Sequence, residues 1–192
     1  MKAFFRIAGY LACVVLIIGG IVTMMVGANG RSDVRDNLKN EKIQGSPDMT
    51  PAAIKASAAK AGLQNVALPD CTVAGDNVTN GTSARCFADY MRVHALEATG
   101  GKTYSEMPRF ASKDGKGTND EAAASKDPKT GAPVSNPARN IWVTEVGLSQ
   151  ALNTAYFAEN VATFAIWMGA ALFLIGIGLL VGLLGVATRS DE

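Results

Sequence analysis

The feature that most constrains this chain is an uncharged apolar run near its carboxyl end. No Asp, Glu, Lys or Arg occurs between Val161 and Ala187, and about 20 apolar residues are enough for a helix to cross a bilayer core. Tyr156 and Phe157 lie at its start, where aromatic rings favour the membrane interface, and Arg189 lies beyond its end. A transmembrane helix is therefore expected over residues 161–187.

The helix that leads into this run is expected to begin at Asn136-Pro137. Asparagine accepts a hydrogen bond from a free first-turn N–H, and proline at the first helical position loses no hydrogen bond. No proline follows Pro137, so the sequence favours one continuous helix from there into the apolar run.

A second apolar run covers residues 7–28, after Lys2 and Arg6. It exceeds the 7–15 apolar residues of a signal peptide, and Val26–Asn29 is a poor cleavage site. We therefore expect a retained transmembrane helix. Arg31 and Arg35 follow it and reduce the charge asymmetry.

The charges that flank both runs predict how the chain crosses the membrane. Lys2, Arg6 and Arg189 indicate cytoplasmic ends by the positive-inside rule. The prediction is an all-α, multi-pass plasma-membrane protein in which two transmembrane helices flank a small helical, disulfide-stapled extracytoplasmic domain. Its segments are a cytoplasmic start (1–6), a first span (7–28), the outer domain (29–160), a second span (161–187) and a cytoplasmic end (188–192).

Small residues recur at helical spacing in both spans, which predicts close packing of helices. Small side chains let helix backbones approach, and packing drives helix association in lipid. The packing partner is the protein's own other span or a foreign helix. The candidate packing residues are Gly19, Thr23 and Gly27 in the first span and Ala165, Gly169, Gly178 and Gly182 in the second.

The outer segment contains signals for short helices. One is predicted from Pro51 to a stop at Gly62, and a second over Ala84–Ala98 with Thr82 or Ser83 as its cap. A capping box at 103–106 predicts a further helical turn. Residues 112–135 have almost no large apolar side chain and predict a flexible loop.

Cys71 and Cys86 lie 15 positions apart in the outer segment. In an oxidising compartment such a pair predicts a disulfide, worth about 3 kcal/mol by loop closure. Cys13 lies within the first span and is expected to be a small apolar filler.

The residues that carry most enzyme chemistry are missing from this sequence. His94 is the single histidine, too few for the usual metal sites, and no nucleophile elbow, phosphate loop or dinucleotide fingerprint occurs. The net charge of +1 gives no support for nucleic-acid binding. The chain is therefore expected to be non-catalytic, without a cofactor or a metal.

Two segments carry a family resemblance. Cys86–Met107, with HALEATGGKTY at its centre, and Asn136–Glu159 resemble a family of small actinobacterial two-span membrane proteins. The resemblance covers nearly the whole chain and implies an actinobacterial plasma membrane. Some members are labelled aromatic ring-opening dioxygenases, but such an iron site uses two histidines and a carboxylate.

In size and predicted topology the chain also resembles the accessory subunits of the actinobacterial cytochrome bcc–oxidase supercomplex. This implies a non-catalytic subunit of a larger membrane complex, with lipid and other transmembrane subunits as partners. The alternative is a free-standing envelope protein whose outer domain binds a ligand or a partner. A pocket lined by Tyr90, His94 and Tyr104 would favour that alternative.

The predicted orientation is tested by cysteine labelling in intact cells. A membrane-impermeant thiol reagent should label Gly117→Cys in the outer loop and should not label Ser190→Cys at the cytoplasmic end, because the bilayer blocks the reagent. Permeabilised cells should label both variants. Labelling in the opposite pattern would show that the orientation is reversed.

Overall fold

The computed structural model describes the backbone of residues 2–189 and the side chains of residues 4–185. It contains four α-helices: α1 (Lys2–Glu41), α2 (Pro51–Lys60), α3 (Gly81–Ala98) and α4 (Pro137–Arg189). A 3-10 turn lies at Tyr104–Glu106. Within this described part, β pairing is limited to isolated bridges, so the fold is helical as predicted.

The chain divides into two compact units. The first, which we call the helical hairpin, comprises residues 1–37 and 157–192, and the second, the helical domain, is Leu38–Tyr156. Both α1 and α4 contain a segment that is long and apolar enough to cross a membrane. The helical domain thus begins nine residues after the expected start at residue 29, because α1 extends past its apolar run as a charged helix.

In the helical hairpin, α1 and α4 run antiparallel. A Cβ placed at Gly9 would lie near Leu183, one at Gly20 near Gly169, and one at Gly27 near Ala162. As the residue number increases along α1, the residue number of its neighbour on α4 decreases. The outward faces carry exposed apolar side chains, as expected for helices surrounded by lipid tails rather than by water.

Helix α2 begins and ends at the predicted signals. Thr50 caps it by accepting a hydrogen bond from the Ala53 N–H, and Pro51 is its first residue. The helix stops at Lys60, and Gly62 follows with φ +71°, a left-handed conformation that glycine adopts without strain.

Helix α3 begins earlier than predicted. Asn80, rather than Thr82 or Ser83, is its cap, and its side chain accepts a hydrogen bond from the Ser83 N–H at 2.9 Å. The Ser83 hydroxyl in turn accepts from the Asn80 N–H. This reciprocal pair satisfies two backbone donors at once, which explains why the helix starts at Gly81.

The core of the helical domain forms around α3, whose apolar side is buried. Tyr90 and Val93 are fully buried, as is Ile54 of α2. A second cluster lies toward the end of α3, where Leu96 packs with Met107 and with Trp142 of α4. The α2–α3 contact is also polar, since the Ser57 hydroxyl donates to Glu97 at 2.5 Å.

The turn before α2 depends on a glycine. A Cβ at Gly45 would lie 1.8 Å from the carbonyl oxygen of Val73, a distance that no side chain can tolerate. The close approach allows the Gly45 N–H to donate to the Asp76 carbonyl and the Gly75 N–H to donate to the Gly45 carbonyl. These bonds attach the turn to the segment between Cys71 and α3.

The expected flexible loop 112–135 has no helix, but it has a defined set of hydrogen bonds. Phe110 pairs with Thr118 and Ser135 through backbone bridges. Asp127 accepts backbone N–H bonds from Thr130 and Lys129, and these bonds lower the pKa of its carboxyl. Turn-forming side chains thus replace the missing apolar contacts.

One detail of this loop bears on the labelling test. Gly117 has φ +76°, a conformation in which a cysteine is strained. The exposed Lys113, four residues earlier, is therefore the better position for an engineered thiol.

The predicted disulfide is present between Cys71 and Cys86, with their Cα atoms 6.1 Å apart. It connects the segment before α3 to the first turns of that helix. The buried Tyr90 strengthens the same connection, because its hydroxyl donates to the Cys71 carbonyl at 2.6 Å. Burial raises the pKa of the Tyr90 phenol, so this donor keeps its proton at neutral pH.

Replacing both Cys71 and Cys86 with serine should lower the free energy of unfolding by about 3 kcal/mol, because the 15-residue loop is no longer closed in the unfolded chain. The matched variant Tyr90→Phe should cost only about 1 kcal/mol, the worth of one hydrogen bond. Denaturant unfolding of the full chain, followed by Trp142 fluorescence in a Trp167→Phe background, measures both. An unchanged midpoint in the double serine variant would contradict the prediction.

Candidate functional site

The contact between α1 and α4 is made by backbone on backbone. A Cβ at Gly20 would lie 2.6 Å from the Phe173 nitrogen and 2.7 Å from the Gly169 carbonyl oxygen. A Cβ at Gly169 would in turn lie 2.6 Å from the Gly20 carbonyl oxygen. Only glycine fits at these two positions, so the two helices are as close here as their backbones allow.

Two further glycines extend this contact in both directions. A Cβ at Gly27 would lie 2.6 Å from the Ala162 carbonyl oxygen, and one at Gly176 would lie 3.0 Å from the Ile17 nitrogen. Buried Cys13, 1% exposed, lies one heptad before Gly20. We call this surface the hairpin contact; its small residues are Cys13, Gly20 and Gly27 on α1 and Ala162, Gly169 and Gly176 on α4.

Of the predicted packing residues, two lie in the hairpin contact: Gly27 and Gly169. Thr23 is half-buried, and its hydroxyl donates to the Gly19 carbonyl at 2.7 Å within α1. Ala165 is also half-buried. A Cβ at Gly19 would meet no described atom within 4 Å, so Gly19 lies off the contact.

Gly20, Ala162 and Gly176 were not among the predicted packing residues, and Cys13 was expected only as a small apolar filler, because small residues were sought four positions apart. The hairpin contact repeats every seven positions instead: 13, 20 and 27 on α1, and 162, 169 and 176 on α4. A seven-residue spacing is the period of a left-handed coiled pair. A search at that spacing could have found all six positions.

Gly178 and Gly182 lie on the side of α4 that faces away from α1. A Cβ at either position, or at Gly185, would meet no described atom within 4 Å. Phe164 and Trp167 are on the same side, since they precede Gly178 by 14 and 11 positions, close to whole helical turns. Their side chains are 65% and 72% exposed. We call this surface the open face of α4.

A groove between α3 and α4 is one of the cavities in the helical domain. Its volume is about 420 Å³, within the range of ligand pockets. Met91, His94 and Ala95 of α3 line it together with Ile141, Thr144 and Glu145 of α4.

His94 turns both ring nitrogens toward carboxylates. Its Nδ1 lies 3.1 Å from Glu97 Oε2, and its Nε2 lies 3.7 Å from Asp48 Oδ2. A hydrogen bond from Ser46 lowers the pKa of Asp48, and His94 acts in the same direction. The ring therefore lies between α3 and the turn before α2, and its buried Nε2 makes no hydrogen bond, since the Asp48 carboxylate is too distant for one.

Glu145 is a buried carboxylate at the groove wall. It is 3% exposed, accepts a hydrogen bond from the Ser149 hydroxyl at 2.8 Å, and lies 3.3 Å from Arg92 Nη1. Arg92 also stacks 4.1 Å from the centre of the Trp142 ring. The charge of the Glu145 carboxylate is thus compensated by Arg92, which is the usual condition for a buried ion.

Tyr90, His94 and Tyr104 do not form a common pocket. Tyr90 is fully buried and bonded to Cys71, whereas Tyr104 lies under the Arg139 guanidinium, 3.8 Å from the centre of its ring. Among side chains 4–185, no three His, Cys, Asp or Glu residues are grouped to hold a metal ion.

The fold and these surfaces define a helical protein with two helices that are long and apolar enough to cross a membrane, joined through a small disulfide-bonded domain. Compared with protein-family models, characterised proteins and solved structures, the chain matches none of them. Both resemblances stated for the sequence therefore stay predictions.

Adjacent glycines provide a matched test of the hairpin contact. Gly20→Ala forces a methyl group against two backbone atoms and should destabilise the hairpin by about 1–3 kcal/mol through overpacking. Gly19→Ala adds the same atom in open space and should be neutral or slightly stabilising. Unfolding of the full chain by titration with dodecyl sulfate measures the difference. Equal effects of the two substitutions would contradict the assigned contact.

Proposed function

We propose that this protein is a non-catalytic accessory or structural subunit of a larger plasma-membrane complex. The observation that carries the proposal is the open face of α4, where a Cβ at Gly178 or Gly182 would meet no described atom within 4 Å. In lipid, glycines four residues apart are a common docking site for a second helix.

The hairpin contact and the open face have separate tasks in this proposal. The hairpin contact joins the protein's own helices through Gly20 and Gly169. The open face lies on the opposite side of α4 and is therefore available to a helix of another subunit. Phe164 and Trp167 project from its other end, and such large side chains can fill gaps on a partner that packs against the glycines.

The complex we put first is the actinobacterial cytochrome bcc–oxidase supercomplex, on the resemblance in size and topology. In this assignment both termini are cytoplasmic and the helical domain is extracytoplasmic, where an oxidising environment favours the Cys71–Cys86 bond. The partners are membrane lipid and other transmembrane subunits. The protein itself needs no cofactor for this role.

The second candidate is a free-standing envelope protein that binds a ligand in the α3–α4 groove. The groove has a ligand-sized volume and a mixed lining, with Met91 and Ile141 as apolar walls and Thr144 as a polar group. This candidate places the function in the helical domain rather than in the membrane. Substitutions on the open face of α4 should therefore impair the first candidate function, and substitutions in the α3–α4 groove should impair the second.

Affinity purification in mild detergent followed by mass spectrometry tests the subunit proposal. Gly178→Ile and Gly182→Ile should each reduce co-purification of the partner subunits about tenfold, because a branched side chain separates the backbones and removes about 1–2 kcal/mol of packing and weak hydrogen bonding. Gly19→Ile is the matched control, since it introduces the same side chain into open space on α1.

Two further variants separate the candidates. Thr144→Trp fills the groove and should leave co-purification unchanged if the subunit proposal is right. His94→Ala should likewise leave assembly and any associated turnover unchanged. Normal co-purification of the glycine variants, together with a loss of turnover in His94→Ala, would overturn the proposal and reopen an enzymatic role.

A further inference from the structure

Two arginines of α1 converge on one carboxylate of α4. Arg31 Nε lies 3.2 Å from Glu159 Oε1, and Arg35 Nε and Nη2 lie 2.8 Å and 2.7 Å from the same oxygen. The Glu159 side chain is only 11% exposed, whereas the two arginines are 41% and 39% exposed. The negative charge is therefore inside the cluster, and the positive charges are at its surface.

The cluster has an excess of positive charge. One carboxylate balances one guanidinium, so Arg31, Arg35 and Glu159 together carry a single net positive charge. The contacts with Glu159 use one nitrogen of Arg31 and two of Arg35, a minority of the five N–H donors that each guanidinium has. The surface of the cluster can therefore offer hydrogen-bond donors to an anion.

The nearby acids of α1 do not cancel this charge at the cluster. Asp33 is two positions from Arg31, a spacing that points to another side of a helix. Asp36 follows Arg35 directly and accepts a hydrogen bond from the Ser32 hydroxyl at 3.4 Å. Both acids are on exposed positions of α1, away from the side that carries the contact with Glu159.

The position of the cluster along the helices indicates the source of the anion. Arg31 lies three residues past the end of the first apolar run at Ala28, and Glu159 lies two residues before Val161, where the second begins. At 1.5 Å per residue, Arg31 is about 5 Å and Arg35 about 10 Å beyond the hydrocarbon. The headgroup layer on each side is about 5–8 Å thick, so Arg31 lies within this layer. The Arg35 guanidinium, which contacts the same Glu159 oxygen as Arg31, lies at the edge of the layer, within reach of the lipid phosphates.

We propose that Arg31, Arg35 and Glu159 form a binding site for the phosphodiester headgroup of an anionic phospholipid. The planar guanidiniums bind phosphate oxygens through paired N–H donors. Glu159 accepts hydrogen bonds from both guanidiniums and therefore competes with a phosphate for their N–H donors. The proposal goes beyond the subunit role and depends only on insertion of α1 and α4 into a membrane.

Native mass spectrometry of the full chain tests the site. The protein in mild detergent is mixed with equal amounts of phosphatidylglycerol and phosphatidylcholine of the same acyl chains, and the retained lipids are counted. The native chain should prefer phosphatidylglycerol, and Arg31→Gln with Arg35→Gln should reduce that preference at least about fivefold, the factor that one basic residue is worth near an anionic surface. Lys55→Gln with Lys60→Gln on α2 is the charge-matched control and should retain the preference.

Glu159→Gln distinguishes a lipid site from a purely structural ion pair. Removing the carboxylate releases both guanidiniums, so retention of phosphatidylglycerol should rise severalfold even if the hairpin becomes less stable. If the ion pair were purely structural, Glu159→Gln would lower the stability of the hairpin without increasing the retention of phosphatidylglycerol. If the variant with Arg31→Gln and Arg35→Gln fails to fold, Glu159→Gln carries the test instead. Arg31→Lys and Arg35→Lys then serve as variants that preserve the positive charge.

Three outcomes would overturn the proposal: an unchanged lipid preference in the folded double glutamine variant, no gain in Glu159→Gln, or displacement of the lipid by a molar excess of inorganic phosphate. The last outcome would assign the site to a free anion. Flotation of the native chain with phosphatidylcholine vesicles checks insertion separately, so a failed membrane premise is distinguishable from a failed lipid site. Loss of partner subunits in Gly178→Ile or Gly182→Ile tests the subunit role and is independent of both lipid binding and membrane insertion.

Discussion

The direct contact of backbone with backbone at Gly20 and Gly169 is the interaction on which the helical hairpin depends. In lipid, burying apolar side chains against each other gains little, because lipid tails are equally apolar. Close approach instead gains dispersion contacts along the facing segments of both helices. It also brings Arg31 and Arg35 within reach of Glu159, so the ion cluster is a consequence of glycine placement further along the helices.

The helices and their ends could be predicted wherever a local chemical signal existed. Two uncharged runs indicated the two long apolar helices, Thr50-Pro51 and Asn136-Pro137 indicated helix starts, and the cysteine spacing indicated the disulfide. The start of α3 was missed because Asn80 and Ser83 satisfy each other's backbone groups, a reciprocal arrangement that outweighs the choice of the nearest Thr or Ser. Local signals thus predict elements better than they predict which of two adjacent caps is used.

The contacts between distant segments were less predictable. Glycine spacing alone cannot tell which side of a helix faces its neighbour, since Gly169 is in the hairpin contact and Gly178 is on the open face. The pairing of Arg92 with Glu145 and that of Arg31 with Glu159 join residues more than 50 positions apart. Such pairs depend on the register of α1 and α3 against α4, which no short pattern in the sequence specifies.

The seven-residue repeat of small residues also limits how the hairpin can move. A glycine has no side chain that could change rotamer to accept a new neighbour. If α1 slid along α4 by one turn, larger residues such as Leu16 and Ile17 would meet the backbone that now faces Gly20. The next allowed register is a full seven residues away, about 10 Å along the helix. The glycines therefore hold α1 and α4 in a single register, and sliding of one helix along the other by one turn is not a movement that this hairpin allows.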